Sequence, residues 1–153
     1  VSDWSSDVCS SDLYDTHSDD ANFPILEDWA PGFSAGDWSI YYEDGVQGSN
    51  TYIGVTERRA TNASDVIGDL MVEYFSNDPT VQTEPQSTYY GEENTWEYVI
   101  FHIQDETGTA YTGGIYVTLN NGNAHVIWFQ APDSAISQLV NAFFVTIDGC
   151  TIE

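Results

Sequence analysis

Hydrophobic and polar positions sort most clearly between residues 96 and 147. Residues 96–104, WEYVIFHIQ, are apolar at both odd and even positions. Strand side chains alternate, so Trp96, Tyr98, Ile100 and His102 share one side and Glu97, Val99, Phe101 and Ile103 the other. Apolar residues on both sides predict a central strand that is covered twice. Residues 105–108 read as a turn into a second strand, 109–119, where Gly113-Gly114 predicts a bulge or a close backbone approach. Asn121-Gly122 then predicts a tight hairpin, because a type I′ turn needs positive φ at both central residues. The third strand, 124–130, ends at Ala131-Pro132, since proline donates nothing to a ladder. Asp133 or Ser134 caps a helix whose stripe is Ala135, Ile136, Leu139, Val140, Phe143 and Ile147. Gly149 is its natural end, and 144–148 also reads as extended chain.

Earlier in the chain the pattern is weaker. Residues 14–37 are acidic and broken by Pro24, Pro31, Gly32 and Gly36. They read as an irregular arm that lays Phe23, Ile25, Leu26, Trp29 and Phe33 over the core. Residues 38–44 and 51–59 read as two paired strands. Asn62 or Ser64 opens a helix over 65–75, with Val66, Ile67, Leu70, Met71, Tyr74 and Phe75 at three- and four-residue steps. Asn62-Ala63-Ser64 also matches a glycosylation sequon, but capping is the expected role. Residues 77–95 read as a polar loop with an edge strand near 81–90.

Residues 1–13, VSDWSSDVCSSDL, have no apolar period and resemble translated sequencing-adaptor read-through. On that reading the true N-terminus is missing, so the lack of a targeting segment carries no information. Cys9 is then spurious and Cys150 stands alone as an inert, near-buried thiol. If Cys9 is real, the two cysteines could pair.

Composition changes the picture in one respect. The 41% hydrophobic and 14% aromatic content excludes a disordered chain. Two arginines, Arg58 and Arg59, face 25 acids, for a formal net charge of −23. Without Asp3, Asp7 and Asp12 there remain 22 acids and −20, so the excess belongs to the domain. Self-repulsion of this size is relieved by salt, which points to a saline environment. It resembles the surfaces of halophile proteins. Nucleic acid and anionic membrane surfaces are excluded as partners, because both need Lys or Arg clusters.

Candidate chemistry is sparse. The loop 15–20, DTHSDD, departs from a calcium loop at three places: His17 at the second ligand position, Asp20 for the glycine, and Leu26 for the closing Glu. His102 and His125 fall on strands and could be neighbours across the sheet, but two histidines make no metal site. Glu43/Asp44, Glu92/Glu93 and Asp105/Glu106 pair carboxylates at turns, where nothing buries one to hold its proton. Trp29, Trp38, Tyr41, Tyr42, Tyr89 and Tyr90 read as core rather than as a ligand patch.

The order strand–strand, helix, polar loop, three-strand meander and closing helix resembles the PsbP-like fold, named after an extrinsic photosystem II subunit. Its most specific stretch is GGIYVTLNNGNAHVIWFQAPDSAISQLVNAFFVTIDG, 113–149, similar to the ending of bacterial or archaeal secreted modules of this type. The likeness covers roughly 35–152 and is one of pattern, so it implies a fold and no site residues. The expected architecture is α+β: an antiparallel sheet with a three-strand C-terminal meander, flanked by helices 64–75 and 134–147 in an α/β/α sandwich. Residues 1–34 are expected to be artefactual or irregular and acidic, and 35–153 a single domain. The expected function is a non-enzymatic extracytoplasmic module, secreted or anchored and part of a longer secreted chain. It binds an unidentified protein or small ligand, with no catalytic, cofactor-binding or metal-ligating residues. The alternatives are a small hydrolase with its site near His102 and His125, or a calcium-dependent module using 15–20. A binding module should show an aromatic patch at a sheet or loop rim; an enzyme needs a concave pocket with convergent polar groups.

Overall fold

The computed structural model describes residues 13–17, 21–29 and 32–152. The adaptor-like run up to residue 12, with Cys9, and positions 18–20 of the acidic loop lie outside these residues. The chain is α+β, built on an eight-stranded antiparallel sheet. Its strands are β3 (Phe33–Ala35), β4 (Trp38–Tyr42), β5 (Tyr52–Arg59), β6 (Gln82–Thr83), β7 (Ser87–Tyr90), β8 (Thr95–Gln104), β9 (Ala110–Asn120) and β10 (Asn123–Pro132). The spatial order is β3-β4-β5-β10-β9-β8-β6, with β7 also paired to β8. A smaller sheet joins β1 (Leu13–His17), β2 (Ala21–Leu26) and β11 (Thr151–Ile152). Two helices, α1 (Ala63–Phe75) and α2 (Ile136–Gly149), complete the domain.

The meander β8–β9–β10 lies in the middle, as its two-sided apolar pattern predicts. Residues 124–131 of β10 are buried without a break. One face packs Ile127, Phe129 and Ala131 against Phe143 and Ile147 of α2, with Ile25 and Trp29 from the N-terminal arm. The other packs Val126 and Trp128 with Val99, Phe101, Ile115 and Val117 against Val66, Ile67 and Leu70 of α1. The hairpin turn has φ of 52° at Asn121 and 81° at Gly122, the type I′ signature.

Several local expectations change. Gly113 and Gly114 keep regular register with Phe101 and Ile100, so there is no bulge. They serve the close approach instead: a Cβ on Gly113 would collide with the Phe101 ring and the Phe129 carbonyl oxygen. β10 runs on through Pro132, which pairs with Tyr111 of β9, while its pairing to β5 stops at Gln130. Past that point one side of the strand is open, so a missing N–H costs nothing there. Asp133 and Ser134 do not cap α2. Ala135 is its N-cap residue without a side-chain bond, and the Asp133 carboxylate accepts from the Thr112 hydroxyl at 2.6 Å. Residues 144–148 are helical, because Phe143, Thr146 and Ile147 bury one helical face. Asn62 does cap α1, its side chain accepting from the Asp65 N–H at 3.1 Å. The arm is not wholly irregular: β2 pairs with β1 and β11, and the Thr146 hydroxyl donates to the Pro24 carbonyl at 2.7 Å.

Candidate functional site

The two helices cover the sheet unequally. α2 packs on β10 and β2, and α1 lies over β8 and β9. On the α1 face, the β4–β5 half is left without a helix among the described residues. Aromatic side chains among those that alternate onto this half are Trp38 and Tyr42 from β4, and Tyr52 from β5. Trp128 joins them from β10, and Tyr74 reaches over from the last turn of α1.

Five residues, Trp38, Tyr52, Gly54, Tyr74 and Trp128, line a recess of about 90 Å³. Trp38 and Trp128 meet at 5.9 Å and 89°, Tyr74 and Trp128 at 5.3 Å and 76°, and Trp38 and Tyr74 at 6.3 Å and 76°. Three rings therefore stand steeply to one another, like walls at a corner. Gly54 pairs with Trp128 on one side and Ile40 on the other. A Cβ there would come within 3.1 Å of the Trp38 ring, so the bare backbone lets the indole lie on the sheet.

The rim is held by polar contacts. Trp38 Nε1 donates to the Tyr74 hydroxyl at 2.8 Å. The Tyr52 hydroxyl donates to Gln130 Oε1 at 3.3 Å, and Gln130 Nε2 to the Asn50 carbonyl at 3.3 Å. Burial pushes the Tyr52 phenol up to about 12; the neighbouring Tyr42 adds to this and the Trp128 indole N–H opposes it. That N–H is itself buried and makes no well-formed hydrogen bond. Phe75 and Phe101 back the Trp128 ring at 5.5 and 5.3 Å and hold it in place. A second, more polar recess of about 420 Å³ adjoins the first through Trp38 and Tyr74, and Asp37, Arg58 and Glu73 line it.

The six aromatics read as core divide. Trp29 and Tyr41 are buried; Trp38, Tyr42 and Tyr89 are half-buried; Tyr90 is 79% exposed. Trp38 belongs to the recess. Tyr74 and Trp128 read in sequence only as members of a helical stripe and a strand. Tyr74 is in fact 46% exposed, and an aromatic at the end of a helical stripe was the one available signal.

The histidines do not meet. His102 pairs with Thr112 of β9, and Thr118 of β9 pairs with His125. Six residues of strand separate those positions, roughly 20 Å. His125 is buried, with Nδ1 3.6 Å from Glu57 Oε2. His102 Nε2 lies 2.8 Å from Glu84 Oε2, and Nδ1 lies 3.0 Å from Thr112 Oγ1. Thr112 gives its one hydroxyl proton to Asp133, so it accepts from His102 Nδ1–H. Activation of a nucleophile requires the reverse direction.

The carboxylate pairs stay at turns. Asp105 accepts from the Thr107 and Thr109 N–H groups, the Thr107 hydroxyl and the Tyr111 hydroxyl. The Thr107 hydroxyl above all holds its carboxyl below the usual range, the opposite of a general acid. Cys150 is buried, and burial pushes its thiol up to about 12. Among the described residues no cluster of three or more His, Cys, Asp or Glu is placed to hold a metal. None of their helices is long and apolar enough to cross a membrane.

No protein-family profile matches the chain, and no curated protein matches its sequence. Solved structures do match in shape. Cyanobacterial PsbP (CyanoP) from Synechocystis sp. PCC 6803 superposes with a TM-score of 0.67 at 10% identity, covering 94% of each chain. LpqN of Mycobacterium tuberculosis, described as involved in cell envelope biogenesis, gives 0.57 at 14% identity over 99% of this chain and 96% of its own. A protein from Bacteroides thetaiotaomicron gives 0.59 at 17% identity over 93% of this chain, which spans 48% of that longer one. By architecture, then, the chain is an α+β domain with the PsbP-like fold.

Proposed function

We propose that this domain is a non-enzymatic binding module and that the aromatic recess is its ligand site. One observation carries the reading: three steeply set rings and a bare glycine form a recess on the half of the sheet that α1 leaves uncovered. Concave, largely apolar sites with a few fixed polar groups are the usual form of small-ligand pockets. A non-catalytic role is supported by the donor direction at Thr112 and the lowered carboxyl of Asp105. An extracytoplasmic location accords with the involvement of LpqN in cell envelope biogenesis.

The test is a small-ligand screen read by nuclear magnetic resonance. Ligands that bind should move the indole signals of Trp38 and Trp128 before any others. A screen whose hits cluster elsewhere, for instance around His102 and Glu84, removes the reading.

The acid excess supports adaptation to a saline environment. The denaturation midpoint is expected to rise from millimolar to molar KCl. A midpoint that stays level counts against the adaptation and leaves the recess untouched.

A further inference from the structure

We propose that the aromatic recess is a cage for a quaternary ammonium group. This rests on the recess being the ligand site and names the chemistry it takes. The Trp38, Tyr74 and Trp128 rings stand at 76–89° to one another with centroids 5.3–6.3 Å apart. A compact group seated in that corner meets aromatic surface from several directions at once, with Tyr52 beside it. Ring faces carry the negative part of the aromatic quadrupole and attract a cation within about 6 Å of the centroid. Tryptophan is the strongest such partner, and this corner holds two.

The hydrogen-bonding state of the walls separates a quaternary ammonium from other cations. A lysine-like ammonium brings three N–H donors, each needing an acceptor once water is removed. The neutral walls offer it few acceptors: the Tyr74 oxygen already accepts from Trp38 Nε1, and Gln130 Oε1 from the Tyr52 hydroxyl. A trimethylammonium group brings charge without N–H donors, so it leaves nothing unsatisfied. The recess is small, about 90 Å³, and suits a compact head group.

Charge favours the same occupant. The formal net charge of −23 raises the local concentration of cations and opposes anions. In the adjoining recess Asp37 and Glu73 outnumber Arg58. Packing keeps the cage formed before a ligand arrives, since Phe75 and Phe101 back Trp128 and the Trp38–Tyr74 bond ties β4 to α1. Pre-formed walls lower the ordering cost of binding.

The experiment titrates the whole chain with choline and with 3,3-dimethylbutan-1-ol, its neutral isostere, at a fixed high salt concentration. The indole N–H signals of Trp38 and Trp128 are followed. Choline is expected to shift both saturably, with a Kd about tenfold below that of the isostere. Trp38→Ala should abolish the choline shifts at Trp128, and Trp38→Phe should keep part of the affinity. Equal affinity for the two ligands overturns the cage and leaves the recess as an apolar binding site. Silence of both indoles towards both ligands also overturns the cage, while the wider ligand screen independently decides whether the recess binds anything.

Discussion

The two faces of one sheet have different fates in this domain. On the α2 face the cover is continuous: α2 seals β10, and Ile25 and Trp29 fill the space over Tyr41, Ile53 and Val55. On the α1 face the helix covers β8 and β9 and ends at Phe75, beside Trp128. What remains beyond it is an aromatic shelf rather than a sealed core. The α2 side stabilises the fold, whereas the shelf exposes rings that a closed core would have hidden. Exposure of Tyr74 forgoes some burial energy, which a ligand in the proposed site would recover.

The largest test of this contrast lies on the sealed face. Phe143 is fully buried, stacked on Phe129 at 4.4 Å and 14° and edge-on to Trp29 at 5.9 Å. Phe143→Ala is expected to cost about 3–5 kcal/mol in chemical denaturation. A loss below about 1 kcal/mol would mean that the α2 face is not the firmer one. Tyr74→Ala on the shelf should cost only about 1 kcal/mol, the scale of an aromatic pair, and should still remove ligand-induced shifts at Trp38.

Gly54→Ala sharpens the contrast on the open side. Its Cβ would meet the Trp38 ring at 3.1 Å and push it by a few tenths of an ångström, so stability should fall by about 1 kcal/mol. Ligand affinity should fall more than stability; an unchanged affinity would mean that Trp38 is not a wall of the site.

The smallest expected effect lies outside both faces, at the β8–β9 turn. Asp105 has its folded carboxyl held down by hydrogen bonds, chiefly from the Thr107 hydroxyl. Its contribution is therefore present above the unfolded carboxylate value, about 3.9, and is lost as pH falls through the lower folded value. Asp105→Asn should destabilise the domain slightly at pH 7, with the difference from wild type vanishing in strong acid. A difference that grows in acid would reverse the assignment.

Much of the fold was readable because it rests on local physics. Two-sided apolar alternation marked β8 and β10, and Asn121-Gly122 marked the turn that joins β9 to β10. The spacing of Val66, Ile67 and Leu70 marked α1, with Asn62 as its cap. The misreadings are equally physical. Asp133 resembles a helix cap, but Thr112 on β9 offers it a hydroxyl that only the folded sheet brings near. Pro24 looks like a breaker, yet it lies within β2, which finds partners in β1 and β11.

The candidate site was barely legible. Its residues come from β4, β5, α1 and β10, and each has an ordinary local reading as core. His102 and His125 looked like a pair because both lie on strands of one meander, but register places them at opposite ends of β9. By itself the sequence determined the antiparallel meander, the two amphipathic helices and the acidic surface, since periodicity, turn chemistry and charge are properties of neighbours along the chain. Only the tertiary structure decided which half of the sheet α1 leaves open and which rings meet there. Coverage depends on where a helix lands on a sheet, and that is set by long-range packing.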